Sequence, residues 1–242
     1  MTRRLLVVLA LLLTVTVGCG SATPVEEVRP LTNDEAARLA QTVYENYLAG
    51  GARFEANAAF VGGPAAETVT VVGIVDWENH RGRATVRSDR YPAITEVYWE
   101  ETFLLERRPG VDQIVRSLGG PDTPWFARGP EPGVRLIDRV IAVVMGLAAE
   151  QPENSLLIQQ KPGSSFVRAD RLRGSSADVL RFGERNLYWL AAGSTRLLRF
   201  EANAASGTAP TVVDLLELGP VDVPIPAQAQ VVPADAFPEL VR

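Results

Sequence analysis

The sequence predicts an α+β domain dominated by antiparallel strands, with two helices inserted at different points. Two observations carry that reading. Apolar residues recur at three- and four-residue spacing in two stretches, 32–48 and 134–149; elsewhere they alternate with polar ones in short runs separated by Gly, Pro or Asn. At 242 residues, 46% apolar and 22% charged, the chain past its first residues has the length and composition of one soluble domain, and no repeat or linker divides it.

Thr32-Asn33-Asp34-Glu35 has the form of a capping box, with the Thr hydroxyl accepting from the third helical amide and the Glu reaching back. Ala36, Leu39, Ala40, Val43, Tyr47 and Leu48 then line one helix face until Gly50-Gly51 stops it. From Arg53 the period becomes two: Phe54, Ala56, Ala58 and Phe60 alternate with Arg53, Glu55 and Asn57. The β-branched run 68–78 turns near Asn79-His80-Arg81-Gly82 and returns over 83–89, which makes a hairpin. One further strand is expected over 94–107, with Val97, Trp99, Phe103 and Leu105 on one side and Glu96, Tyr98, Glu100, Thr102 and Glu106 largely on the other. Residues 109–132, dense in Pro and Gly, read as irregular. The second helix, 134–149, is apolar nearly all round from Val140 to Leu147 and must be covered on most sides, by protein or by a lipid-like ligand. It is too short to span a bilayer. Short strands are then expected at 156–160, 166–172, 177–182, 186–191, 196–202 and 211–218.

Before this domain, Arg3 and Arg4 precede an unbroken apolar run from Leu5 to Leu13 that ends in small residues at Gly18-Cys19. A positive start and a short apolar core read as an export signal over residues 1–18. Cys19, the only thiol, follows Gly18 as in the lipobox of bacterial lipoproteins, where diacylglycerol is attached to the sulfur and cleavage leaves the Cys first. Thr16 departs from the aliphatic residue usual at its position. Residues 19–30 then form a flexible tether, 31–235 the domain and 236–242 a tail. The expectation is a cell-membrane protein, lipid-anchored on the extracytoplasmic side. Removing Arg3 and Arg4 takes the net charge from −5 to −7, which disfavours nucleic acid as a partner.

Several stretches carry a family resemblance: Pro152-Glu153-Asn154-Ser155-Leu156-Leu157, Asp178-Val179-Leu180-Arg181-Phe182-Gly183, Tyr188-Trp189-Leu190, Arg196-Leu197-Leu198-Arg199-Phe200 and the closing Val221-Asp222-Val223-Pro224-Ile225-Pro226. With the order helix, strands, apolar helix, strands, this resembles actinobacterial LppX/LprG-type lipoproteins, related to the LolA lipoprotein-carrier superfamily. The resemblance implies a curved antiparallel sheet, an unclosed half-barrel, with helices covering its concave face. It also implies a lipid or acylated protein as ligand, bound or carried by its acyl chain in an apolar cavity. Candidate lining residues are Phe54, Phe60, Trp77, Trp99 and Phe103 from the sheet with Ile141, Val144, Met145 and Leu147 from the second helix. The alternative from a different class is an envelope-anchored sensor or protein-interaction module with a filled core and an envelope protein partner.

Reactive chemistry is sparse. One Cys and one His, His80, leave no Cys-based or two-His zinc site, and the lone Lys161 belongs to no phosphate loop. Asp76, Glu78 and His80, spaced by two, would share a face of a continuing strand and are the sharpest metal candidates, but the run enters a turn where polar residues are ordinary. Glu96 and Glu100 share a face that a wet outer surface already explains, and no nucleophile elbow occurs. No enzyme, cofactor or metal is expected. Cys19→Ala should abolish metabolic labelling by fatty acid and release the protein from membranes; unchanged labelling on fractionated cells would overturn the lipobox reading.

Overall fold

The computed structural model describes residues 28–61, 66–89, 95–108, 110–122, 124–203 and 209–233. The expected signal, Cys19 and the 236–242 tail lie outside these residues. In chain order the elements are α1 (Asn33–Leu48), β1 (Gly51–Phe60), β2 (Glu67–Asp76), β3 (Arg81–Ser88), β4 (Thr95–Trp99), β5 (Leu104–Arg107), α2 (Val111–Ser117), β6 (Trp125–Arg128), α3 (Leu136–Met145), α4 (Ser155–Gln160), β7 (Ser165–Leu172), β8 (Ser175–Phe182), β9 (Asn186–Ala191), β10 (Leu197–Ala202), β11 (Thr211–Leu218) and β12 (Val231–Pro233).

All twelve strands join one sheet in the order β12-β6-β5-β4-β3-β2-β1-β11-β10-β9-β8-β7. The pairs are antiparallel except β12 on β6, which is parallel. β7 and β12 stand at opposite ends, so the sheet is an unclosed half-barrel. Its order follows from local pairing. β1 to β6 walk outward from the centre, and β7 to β11 start at the far edge and walk back to β1. The connection from β6 to β7 must therefore cross the sheet, and it does so as α3 and α4.

The crossing lies on the apolar face. Ala52, Phe54, Ala56 and Ala58 of β1 are fully buried there while Arg53, Glu55 and Asn57 point the other way, as period-two alternation requires. Leu136, Val140, Ile141 and Val144 of α3 join Phe54, Val71, Val75, Val213 and Leu215 in the largest buried cluster. α1 covers the other half of the face: Ala36, Leu39 and Ala40 share that cluster with Phe166, Leu180, Tyr188 and Leu190. Its N-terminus has the expected capping box, Thr32 accepting from Glu35 N at 3.2 Å and Glu35 from Thr32 N at 2.9 Å. Arg29 donates to both Glu35 carboxylate oxygens at 2.8 Å, and this pairing holds the Glu35 pKa at about 2. Arg29 also exchanges backbone bonds with Phe166 and lays its guanidinium 4.2 Å from that ring centroid, which fastens the entering chain to edge strand β7.

Several expectations are corrected. The one strand expected over 94–107 is replaced by two, β4 and β5, because Glu100 N bonds Phe103 O and the chain turns between them. Val97, Trp99 and Leu104 then face the helices, whereas Tyr98, Leu105 and Phe103 face away. Residues 156–160 lie in α4, not in a strand: Asn154 caps the turn by accepting from Leu156 N and Leu157 N, and a run of only three apolar residues followed by two Gln has no periodicity to reveal it. The stretch expected to be irregular contains α2 and β6, and the second helix is shorter than 134–149 at both ends.

α3 is held at both ends. Asp138 in its first turn takes two hydrogen bonds from Arg128 of β6 and one from Glu131 N at 2.6 Å. Arg128 in turn pairs with Glu106 of β5, which also accepts from Arg108 at 2.8 Å. Burial pushes the Arg128 guanidinium pKa down, but the bonds to Asp138 and the charge of Glu106 outweigh it and raise it. At the other end Asn46 of α1 donates to Leu147 O at 2.7 Å. Asp138→Ala would leave Arg128 buried with half its partners, and should cost about 3–5 kcal/mol in urea unfolding. Asp34→Ala, which removes an exposed partner of Arg38, should cost under about 1 kcal/mol; equal losses would contradict the anchoring role.

Candidate functional site

On the helix-covered face the structure brings together most of the predicted lining residues. Phe54, Trp77, Trp99, Ile141, Val144 and Leu147 are buried in one cluster, with Phe60 and Met145 half-buried against it. Their arrangement is specific. The Phe54 ring meets Trp99 edge-on, with centroids 6.4 Å apart, the geometry that ring quadrupoles favour. The Trp77 indole donates to Val144 O at 3.0 Å and the Trp99 indole to Met145 Sδ at 3.3 Å, so both indoles bond to α3. Phe60 carries the Arg139 guanidinium 4.9 Å from its centroid. Phe103 is not brought to this cluster. It packs at 6.3 Å on Tyr98, on the opposite face, because the turn before β5 reverses the parity assumed for one strand.

The outer face is not uniformly wet. One satellite cluster, Val167, Ala177, Val179, Trp189 and Leu198, lies under the tip of the β7–β8 hairpin, where Arg173 donates to Leu198 O and Leu215 O and pairs with Asp214. A second, Tyr98, Leu105, Trp125 and Val223, is covered by the chain after β11. That segment crosses the outer face as an irregular strap from Gly219 to Ala227 and reaches β12 through a 3-10 turn at Gln228–Gln230. It seats Val223 fully and Val221 partly against the sheet.

Two openings flank the strap. One, about 280 Å³, is lined by Arg53, Ile74 and residues 217–222. The other, about 290 Å³ and mainly apolar, is an open groove floored by Val72, Gly73, Ile74 and Thr85, with Arg53, Arg83, Leu216 and Pro224 at its sides. Val72 and Leu216, each 44% exposed, and Ile225 of the strap, 61% exposed, are large apolar side chains on this surface. Arg53 borders both openings and, among the described residues, has no ion pair. Arg83 is paired with Glu96 at 2.7 Å, and Glu96 also holds Arg107 at 2.7 Å; both guanidinium groups lie over Trp125. Sequence reasoning missed this groove. The Val-x-Val-Pro-x-Pro text of the strap signals extended chain but not which face it crosses.

Of the polar candidates, Asp76, Glu96 and Glu100 have structural partners, while Glu78 is exposed in the turn after β2. β2 ends at Asp76, whose carboxylate accepts from Asn79 N, Asn79 Nδ2 and Arg81 Nε and so staples the β2–β3 turn. His80 lies in that turn at φ +50°, and no group of His, Cys, Asp and Glu among the described residues is placed to hold a metal. Glu100 accepts from Tyr98 Oη at 2.5 Å; burial first, then this bond, raise the Tyr98 pKa.

No family model matches the chain, and no curated protein matches it in sequence, so the likeness to LppX/LprG-type lipoproteins has no sequence-level counterpart. Among solved structures, an uncharacterized conserved protein from Thermus thermophilus is similar at 11% identity and TM-score 0.43, over 82% of this chain and 98% of that one. A chain of the Pseudomonas aeruginosa MucA/MucB complex is similar at 15% identity and TM-score 0.32, over 82% of this chain and 60% of that one. A DUF1329 family protein from Desulfovibrio piger stands at 11% and 0.32, over 79% and 93%. At such identity and superposition these likenesses say nothing of what this chain binds.

The cluster under α3 has a point of control at Gly82, the register partner of Trp99: a Cβ there would overlap the indole ring. Gly82→Ala should displace Trp99 from Met145, changing the near-ultraviolet circular dichroism and lowering stability by about 1–3 kcal/mol. An unaltered spectrum would show that the ring is not confined.

Proposed function

We propose that the chain is a non-catalytic binding module, tethered to the extracytoplasmic side of the membrane through Cys19, that engages an extended segment of an envelope protein along its outer-face groove. The observation that carries this reading is the filling of the apolar face: the side chains expected to line an acyl-chain hollow are buried against one another, and their two indoles bond to α3. The exposed apolar surface at the groove, with Arg53 beside it, has the chemistry to take an extended segment carrying apolar residues and a carboxylate. The strap itself seats alternate side chains, Val221 and Val223, on that face.

A carrier of lipid or of a lipoprotein acyl chain is the second reading, and one observation favours it. The Trp99 bond to α3 ends on a thioether, a weak acceptor, and Val143 and Met145 of α3 are only half-buried, so the helix has apolar surface to offer a chain that lifted it.

The two readings separate in one experiment on the tethered protein in intact cells. A photo-crosslinking residue at Val72 or Leu216 should yield a discrete protein adduct that the same residue at Asn57, on the outer face of β1, does not. Lipid extracted in stoichiometric amount from the purified chain, with no groove adduct, would overturn the interaction reading in favour of the carrier.

A further inference from the structure

The tether's docking site fixes which end of the domain faces the bilayer. Arg29 is bonded to Phe166 and Glu35, so the chain is fixed to the domain from Arg29 onward. From Cys19 to Val28 is nine residue steps. Whatever their conformation, nine steps span at most about 30 Å. A domain of this size is about 40 Å across. The end at which α1 begins is therefore held close to the membrane surface.

α4 lies at that end. Gln159 of α4 donates to Leu31 O at 3.0 Å and to Asn33 Oδ1 at 3.1 Å, and Ile158 buries into the main cluster. The opposite side of the same short helix presents two adjacent leucines, Leu156 at 62% and Leu157 at 64% exposure, the most exposed large apolar pair among the described residues. Val28, where the tether leaves, is 53% exposed. Lys161, the only lysine, closes α4 with its ammonium over Phe182.

We infer that Leu156 and Leu157 form a membrane-contact surface, inserting their side chains into the interfacial layer of the bilayer to which Cys19 tethers the domain. The inference rests on that tethering. A tether this short holds the patch at millimolar effective concentration, so two leucines too weak to bind a bilayer alone are enough to orient an anchored domain. Docking would turn α4 and the start of α1 toward lipid. Glu150 and Glu153, both exposed, precede α4, so the contact is driven by apolar burial and should form on zwitterionic lipid.

The test uses a nitroxide at Leu157→Cys in the mature chain with Cys19→Ser, held on phosphatidylcholine vesicles by an N-terminal histidine tag and a nickel-chelating lipid. Label at 157 should become more accessible to oxygen and less to a water-soluble relaxant than label at Asn57→Cys, and the difference should vanish when imidazole releases the protein. Equal aqueous accessibility at both positions would overturn the inference, as would shielding from both reagents, which marks protein cover. Because the anchor is artificial, the outcome is separate from whether Cys19 is acylated; that reading fails instead if Cys19→Ala leaves the full-length chain on cell membranes.

Discussion

An open sheet built from two hairpin-connected arms obliges the chain to cross from one edge to the other, and this crossing shapes the rest of the molecule. β6 ends beside one edge and β7 begins at the other. The path between them could be short only across a face, and a bare backbone laid on an apolar face would strand its polar groups. The chain crosses as helix, with backbone groups satisfied internally. α3 thereby roofs part of the inner face, with Leu136, Val140, Ile141 and Val144 buried in the core it shares with the sheet while Ala142 on its far side is exposed.

The roof is held by polar bonds at its ends and by apolar contact along its length. The Arg128, Glu106 and Asp138 cluster joins two neighbouring strands to the first turn of α3, where a carboxylate also meets the positive end of the helix dipole. Asn46 ties the far end to α1. A buried ion cluster contributes little net stability over a well-packed apolar one, but it allows very few arrangements of its members, so it fixes where the helix sits. The indoles of Trp77 and Trp99 then have acceptors only if α3 stays in place. The inner face is a solid core at these residues, and the open apolar surface lies outside, beside the strap that makes the second crossing.

Two surfaces thus emerge at different places on the domain. The strap groove pairs exposed valine and leucine with an arginine that has no counter-ion among the described residues. The α4 leucines stand near the start of α1, where Gln159 bonds Leu31 and Asn33.

Much of this was legible in the residues. The capping box at Thr32, the alternation of Phe54 to Phe60 and the turn before Gly82 each depend on neighbours a few positions away, and each stands in the fold as read. The sheet's open form was implied by resemblance, and of its proposed lining all but Phe103 meet in one cluster. Phe103 failed for a local reason: a turn at Glu100 inside an apparently continuous strand exchanges the two faces. α4 failed because five residues have no period to read.

By itself, the sequence determined the elements with clear periodicity, the apolar side of each strand and the scarcity of reactive side chains. Only the tertiary structure decided that α3 packs on the apolar face of the sheet, that Glu106, expected on a wet face, is buried in an ion cluster, and that Val223 of the segment after β11 packs with Tyr98, Leu105 and Trp125 on the outer face. An apolar stripe is identical in one dimension whether protein or hydrocarbon covers it, since burial is a property of what arrives from elsewhere in the chain.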